Sequence, residues 1–396
     1  MNYILFDDNS RSNLLPFTYT RPVADIRIGI LTIREKWEMV LKTKTSSQTQ
    51  QYLQEKFPCE FTIDTDNVWI NGAVAPNQKL VEEIKSLNPN QVLLSGSIVL
   101  AANTGNGKNF DFNIITDLQK FESHAKAMRI EQLWDIFSKN GEAIASDFEL
   151  LTAGRKSLAL SNTNQVIGIE NIFVEEGARV ECAILNASTG PIYIGKDAEI
   201  MEGSIVRGPF ALCEHSTLKL GTKIYGPTTI GPQCKVGGEV NNSVLFGYSN
   251  KAHDGFLGNA VIGEWCNLGA DSNNSNLKNN YGQVKLWNYE QDDFVNTGLT
   301  FCGLIMGDHS KCGINTMFNT GTVVGVNANI FGAGFPQNHI PSFSWGGAAG
   351  FTTYKLEQAF EVAARVFERR GLEFNQAEKD ILMEVFRLTE KYRGDK

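Results

Sequence analysis

Few side chains in this sequence can do chemistry alone, and its five histidines come first. His124, His215, His253, His309 and His339 are widely spaced, and no pair has zinc-ligand spacing. An open catalytic zinc site needs three protein ligands, so no metal site is assigned. Imidazole titrates near neutral pH and serves as a general base. A lone histidine is nevertheless more often a hydrogen-bonded corner residue, and His309 and His339 read as structural. A second group follows the apolar run Tyr3–Phe6: Asp7, Asp8, Arg11 and Arg21. Arginine forks match phosphate, and carboxylates hold Mg2+. The same arginines, with Arg27, equally suit pairing with Asp7, Asp25 and Glu35, because guanidinium serves carboxylate and phosphate alike. A third stretch, Asp271–Asp293, is polar and Asn-rich. Long loops inside compact domains are usually functional, although Asn-turn chemistry alone explains such a composition.

The elements that position these residues are readable from periodicity. From Ile194 every sixth residue is aliphatic: Ile194, Ile200, Val206, Leu212, Leu218, Ile224, Ile230, Val236. Neither the helical nor the strand period explains this. A hexapeptide repeat does, with three short faces per coil of about 18 residues. The predicted architecture is a left-handed parallel β-helix over 161–340. Its inward ladder continues through Val244, Phe256, Ile262 and Leu268, breaks at 271–293, and returns as Met306, Cys312, Phe318, Val324 and Ile330 before ending at Phe335–Pro336. Residues 1–160 alternate strand-like and helix-like runs, which predicts a small α/β domain with a partly parallel sheet. Helices are expected over 30–40, 77–87 and 127–139, the second capped by Asn77. Such sheets bind ligands beyond the carboxyl ends of strands, which favours the loop after Phe6. Residues 341–396 carry two amphipathic helices, expected to cap the open end of the solenoid.

Composition narrows the function classes. The chain has 396 residues, a formal charge of -8 and 37 glycines, concentrated in its second half. An acidic balance argues against non-specific nucleic-acid binding. The seven scattered cysteines show no CxxC spacing and read as buried thiols of a reducing compartment. No basic-then-apolar leader and no run of 18 apolar residues is present, so neither a signal peptide nor a membrane span is expected. A cytoplasmic protein is the expectation.

The segment NKAHDGFLGNAVIGEWCNLGAD, Asn250–Asp271, resembles the acetyltransferase half of the bifunctional UDP-N-acetylglucosamine pyrophosphorylase / glucosamine-1-phosphate N-acetyltransferase family. Gly208–Ala211 (GPFA) and the loop SNLKNNYG, Ser275–Gly282, extend that resemblance. The stretch LLPFTYTRPVADIRIGILTIREKW resembles a divergent bacterial branch of the family, with a truncated nucleotidyltransferase-like N-terminal half. The resemblance implies His253 as general base, with acetyl-CoA as co-substrate. It places Phe256, Asn267, Asn276 and Lys285 on the sugar substrate. It places Ala270, Gly313, Gly332 and Ala333 along the acetyl-CoA groove. It further implies a homotrimer with active sites between neighbouring prisms, acting on a sugar phosphate or nucleotide sugar, with Mg2+ if the N-terminal half is active.

The sequence also departs from that pattern. Cys213-Glu214-His215 stand where the family has an arginine, Asn241-Asn242 replace a lysine pair, and Phe256 replaces a phosphate-contacting tyrosine. The loop DDNSRSNLLPFTYTRP lacks the glycines that cradle a triphosphate. The reading is an acetyl-CoA-dependent N-acyltransferase on an amino-sugar phosphate or nucleotide sugar, with possible sugar-1-phosphate nucleotidyl transfer. The departures keep two alternatives: a nucleotidyltransferase with the β-helix as trimer scaffold, and a non-catalytic sugar-phosphate-binding regulator.

Overall fold

The computed structural model describes residues 1–107 and 110–394. The chain forms two compact units. The first comprises Met1–Leu14, Thr20–Ile26 and Leu31–Gln132; the second comprises Leu15–Tyr19, Arg27–Ile30 and Leu133–Lys396.

In the first unit six strands, β1 (Asn2–Phe6), β2 (Ser46–Gln48), β3 (Asn67–Asn71), β4 (Gln91–Ser95), β5 (Ile98–Gly105) and β6 (Gln119–Glu122), align in the order β2-β1-β3-β5-β4-β6. β1 is parallel to both its neighbours, while β5 runs antiparallel to β3 and β4, giving the expected mixed sheet. The apolar residues Ile4, Phe6, Trp69, Val92 and Phe110 fill its core. Helix α1 (Ser10–Asn13) follows β1. Helix α2 (Ile33–Leu41) starts where Thr32 and Glu35 bond each other's backbone N–H groups, a capping box. Helix α3 (Gln78–Lys85) starts at Asn77, whose side chain accepts from the Leu80 N–H at 2.9 Å.

The helix expected over 127–139 is a correction. Ala75 N–H donates to Met128 O and Ile130 N–H to Ala73 O, so its first part is extended and only its last residues are helical. Helices instead occupy α4 (Asp135–Ser138) and α5 (Asn140–Thr152), both in the second unit. Asn140-Gly141 looks like a breaker in sequence, yet it opens α5. Buried Asn140 and Asp147 accept from Gly29 N–H and Ile30 N–H, each at 2.8 Å. Tertiary hydrogen bonds override local propensity here.

The second unit is a parallel β-solenoid. Three faces of six, nine and ten strands stack rung on rung. The first runs from Gln165–Ile167 to Phe256–Gly258, the second from Ile172–Val174 to His339–Ile340, and the third from Arg179–Val180 to Gly350–Thr353. Ile194, Leu212 and Ile230 are successive partners on the second face; Ile200, Leu218 and Val236 on the third. All six side chains are buried in one aliphatic stack.

After Val236 the frame differs from the period of six. The corner is cut to Gly237-Gly238, and the inward residues become Val240, Leu245, Lys251 and Leu257. Val244 and Phe256, expected inward, therefore point to the opposite side, because a one-residue slip in a strand reverses every side chain. Ile262 and Leu268 are inward again. The break at 271–293 is also more structured than a loop. Asn273–Asn274 still pairs with Met317–Phe318, and an antiparallel hairpin joins Lys285–Asn288 to Asp293–Asn296. Beyond Phe335–Pro336, Ile340 adds one more inward residue.

At the C-terminal end, strand Gly350–Thr353 folds back antiparallel onto Ser344–Gly347, and Phe351 packs on the aliphatic stack. Helices α6 (Leu356–Glu368) and α7 (Gln376–Leu388) form as expected. Phe367 of α6 stacks 4.0 Å from Trp265, and Arg370 donates to Gln233 O at 3.0 Å, so this stretch lies along the flank while Phe351 closes the end. No helix among the described residues is long and apolar enough to cross a membrane.

Candidate functional site

His253 stands at the corner between the third and first faces. The corner one coil below consists of Gly237 and Gly238 alone, while the His253 corner spans Ala252–Gly255. The shortened corner leaves a notch beneath the histidine. It opens as a cleft of about 570 Å³ lined by Lys219, Leu220, Gly237, Gly238, Ala252, His253, Asp254, Ala270 and Asp271. His253 and Asp254 are exposed at its lip, and the His253 imidazole has no hydrogen-bond partner among the described residues.

Backbone contact explains the glycine pair. A Cβ on Gly237 would lie 2.5 Å from Ala252 O. Gly238 has φ +76, and a Cβ there would lie 2.9 Å from both Asp254 Cα and His253 O. The side chains are absent where the histidine corner descends onto them. From above, Asp271 N–H donates to Asp254 O at 3.0 Å, and Phe256 N–H donates to Asn273 Oδ1 at 2.7 Å. From within, buried Lys251 sends Nζ to Gly237 O at 2.9 Å and to His253 O at 2.5 Å. Burial pushes the Lys251 amine down to about 8, with Asp254 and Asp271 acting in the opposite direction.

The residues expected around His253 fall into three groups. Ala270 lines the cleft, and Gly313 stacks on Gly269 one coil above, 2.5 Å from where a Cβ of Gly269 would stand. Gly332 and Ala333 are exposed at the next level of the same column, outside the cleft lining. Phe256 and Asn276 meet on the first face: the ring lies over Gly258, and Asn276 Nδ2 donates to Asn259 Oδ1 at 2.8 Å. Asn267 is exposed on the third face between Asn250 and Lys311. Lys285 is exposed at the start of the hairpin and does not line the cleft. Sequence reasoning missed Gly237, Gly238, Lys251, Asp254 and Asp271. The Gly-Gly pair and a lysine in an aliphatic column were the available signals.

In the first unit Asp7 accepts from Val23 N–H at 2.8 Å and from Thr49 Oγ1 at 2.5 Å, with Arg11 Nε 3.6 Å away. Burial pushes its carboxyl up to about 6, against those hydrogen bonds and the Arg11 charge. Asp8 accepts from Ser10 N–H, Asn71 Nδ2 and Arg129 Nη2, at 2.9, 2.9 and 2.7 Å. Arg11 also donates to Tyr52 Oη at 3.0 Å, and Arg21 is buried. All four carboxylate oxygens thus serve protein donors or face Arg11, and the loop is held internally. No cluster of three or more His, Cys, Asp or Glu suited to a metal ion occurs among the described residues. As arranged, Asp7 and Asp8 do not fit a Mg2+ site.

Comparison with known proteins gives three results. Residues 3–156 match a family model described as sugar nucleotidyl transferase. No curated protein matches. Among solved structures, UDP-N-acetylglucosamine acyltransferase of Francisella novicida is similar at 11% identity and a TM-score of 0.27, over 59% of this chain and 76% of that one. The Arabidopsis UDP-N-acetylglucosamine acyltransferase is similar at 17% identity and a TM-score of 0.24, over 59% and 82%. The acetyltransferase domain of PglB from Neisseria gonorrhoeae FA1090 gives 11% identity and a TM-score of 0.15, over 89% and 100%. The assignment of the solenoid rests on its own strand register.

Proposed function

We propose that this protein is a sugar-related transferase whose solenoid carries acyl transfer from acetyl-CoA to an amino sugar borne as a phosphate or nucleotide conjugate. One observation carries the reading: an imidazole without an internal partner stands over a notch made by a two-glycine corner. The sugar amine attacks the thioester carbonyl carbon, and His253 takes the proton that nitrogen loses. The C–S bond then breaks, and the CoA thiolate leaves and is protonated. Proton removal by a positioned base contributes roughly 10²–10⁴-fold. Phe256 and Asn276 offer the acceptor an aromatic face and an amide, while Ala270 and Gly313 keep the neighbouring column low enough for an extended co-substrate. Expected test: His253→Ala lowers CoA release by at least about 100-fold with the fold intact; turnover equal to wild type removes His253 from the mechanism.

The cleft is open on one side, and exposed Leu220 and Ile314 lie on its corner column. Three copies packed side by side would cover these side chains and share the cleft. Light scattering that gives a stable monomer at micromolar concentration contradicts this.

A second reading has its own support in the family match over 3–156. In it the first unit transfers a nucleotidyl group to a sugar 1-phosphate. The internal pairing of Asp7 and Asp8 weighs against a metal-assisted step, and none is derived. Absence of pyrophosphate release from any nucleoside triphosphate with a sugar phosphate rejects it.

A further inference from the structure

One residue of the aliphatic stack is unexplained by packing. On the third face the inward column reads Ile200, Leu218, Val236, then Lys251, then Leu268. Lys251 is 3% exposed, and its register partner is Val236. An aliphatic side chain would complete the column at no cost in desolvation, whereas burying an amine is unfavourable unless its hydrogen bonds are met. The lysine interrupts the ladder two residues before His253, and its ammonium group reaches back into that corner. Its two acceptors are informative. Gly237 O belongs to the shortened corner that floors the cleft, and His253 O belongs to the histidine at the lip.

We infer that Lys251 is a positioning residue for His253, an amine set into the aliphatic stack to tie the floor of the cleft to its lip. This rests on the acyl-transfer reading only for its catalytic consequence. The geometric claim stands by itself: without the tie, the His253 carbonyl loses its bond from the coil interior. The bonds from above, Asp271 N–H to Asp254 O and Phe256 N–H to Asn273 Oδ1, act on the far side of the histidine. From the coil below, Glu239 N–H donates to Gly255 O at 3.2 Å at the corner's end, while the Lys251 side chain reaches the histidine's own carbonyl. Burial pushes this amine down to about 8, which agrees with an enclosed group kept for its bonds and not for solvation.

The test uses the full chain with ring-labelled histidine. The His253 resonance is identified by its loss in His253→Ala. Lys251→Met and Lys251→Leu continue the ladder with apolar side chains, so at least one is expected to fold with a melting temperature no lower than wild type. In that variant the His253 signal and its titration midpoint move while the other four histidines do not. Amides of Ala252–Gly255 exchange about tenfold faster or more, since exchange reports local opening. Where acyl transfer is measurable, kcat falls about 100-fold with a smaller change in KM, as misplacement by an ångström does. A folded variant with unchanged His253 titration and corner exchange overturns the inference. Failure of both variants to fold also overturns it, because Lys251 is then a framework residue. If the wild type transfers no acyl group, the functional reading falls, while the resonance and exchange data still decide the positioning role.

Discussion

At the scale of single residues, the cost of burying a charge is clearest at Asp7. Burial raises its carboxyl to about 6, above the ordinary value near 3.9 for an unfolded chain. The folded state therefore holds the proton more tightly than the unfolded state. Stability contributed by this group is fully present below about pH 4, is lost as pH rises towards 6, and stays lost above. Replacing Asp7 by Asn keeps an acceptor for Val23 N–H and removes the buried charge. Urea titrations are expected to show Asp7→Asn more stable than wild type by about 2 kcal/mol at pH 7.5, with the gap closing near pH 4. A variant less stable at pH 7.5 would mean that the Arg11 and Thr49 contacts outweigh burial. Residue types left phosphate binding and internal pairing even, and in the fold Arg11 and Asp7 face each other at 3.6 Å.

At the scale of elements, the corner of Gly237 and Gly238 decides where the cleft lies. Gly238→Ala places a Cβ against the histidine corner at a φ of +76, which L-residues avoid at about 1–2 kcal/mol before any clash. The variant is expected to lose at least about 1–2 kcal/mol in urea unfolding and to lose the His253-dependent activity. A variant unchanged in both would show that the notch is not formed by this contact. The same corner marks the limit of what the sequence shows. Ile194 to Val236 was legible because every sixth residue is aliphatic through eight positions without a change of frame. Past Val236 two residues drop out of a corner, and Val244-Leu245 are both aliphatic, so spacing has no means to choose between them. Phe256 and Leu257 pose the same ambiguity, and the strand register resolves it in favour of Leu257. His253 and Ala270 were legible from their motif, whereas Gly237 and Lys219 join the site only because coils stack residues distant in sequence. Helix α5 was missed because Asn140 and Asp147 are held by the Gly29-Ile30 backbone, which local propensity does not contain.

At the scale of the whole molecule, a long solenoid supplies regular packing, and the candidate site gathers where regularity fails. The trimmed corner, the lysine in the aliphatic column and the exposed histidine occur in two consecutive coils. The central claim is that these coils carry acyl transfer through His253. It is tested most directly by thiol release from acetyl-CoA with a panel of amino-sugar phosphates and nucleotide-linked amino sugars, comparing wild type with His253→Ala. The account predicts acceptor-dependent CoA release by the wild type and a fall to background in the folded variant. Undiminished release by His253→Ala, or no release by the wild type with any acceptor, would contradict it.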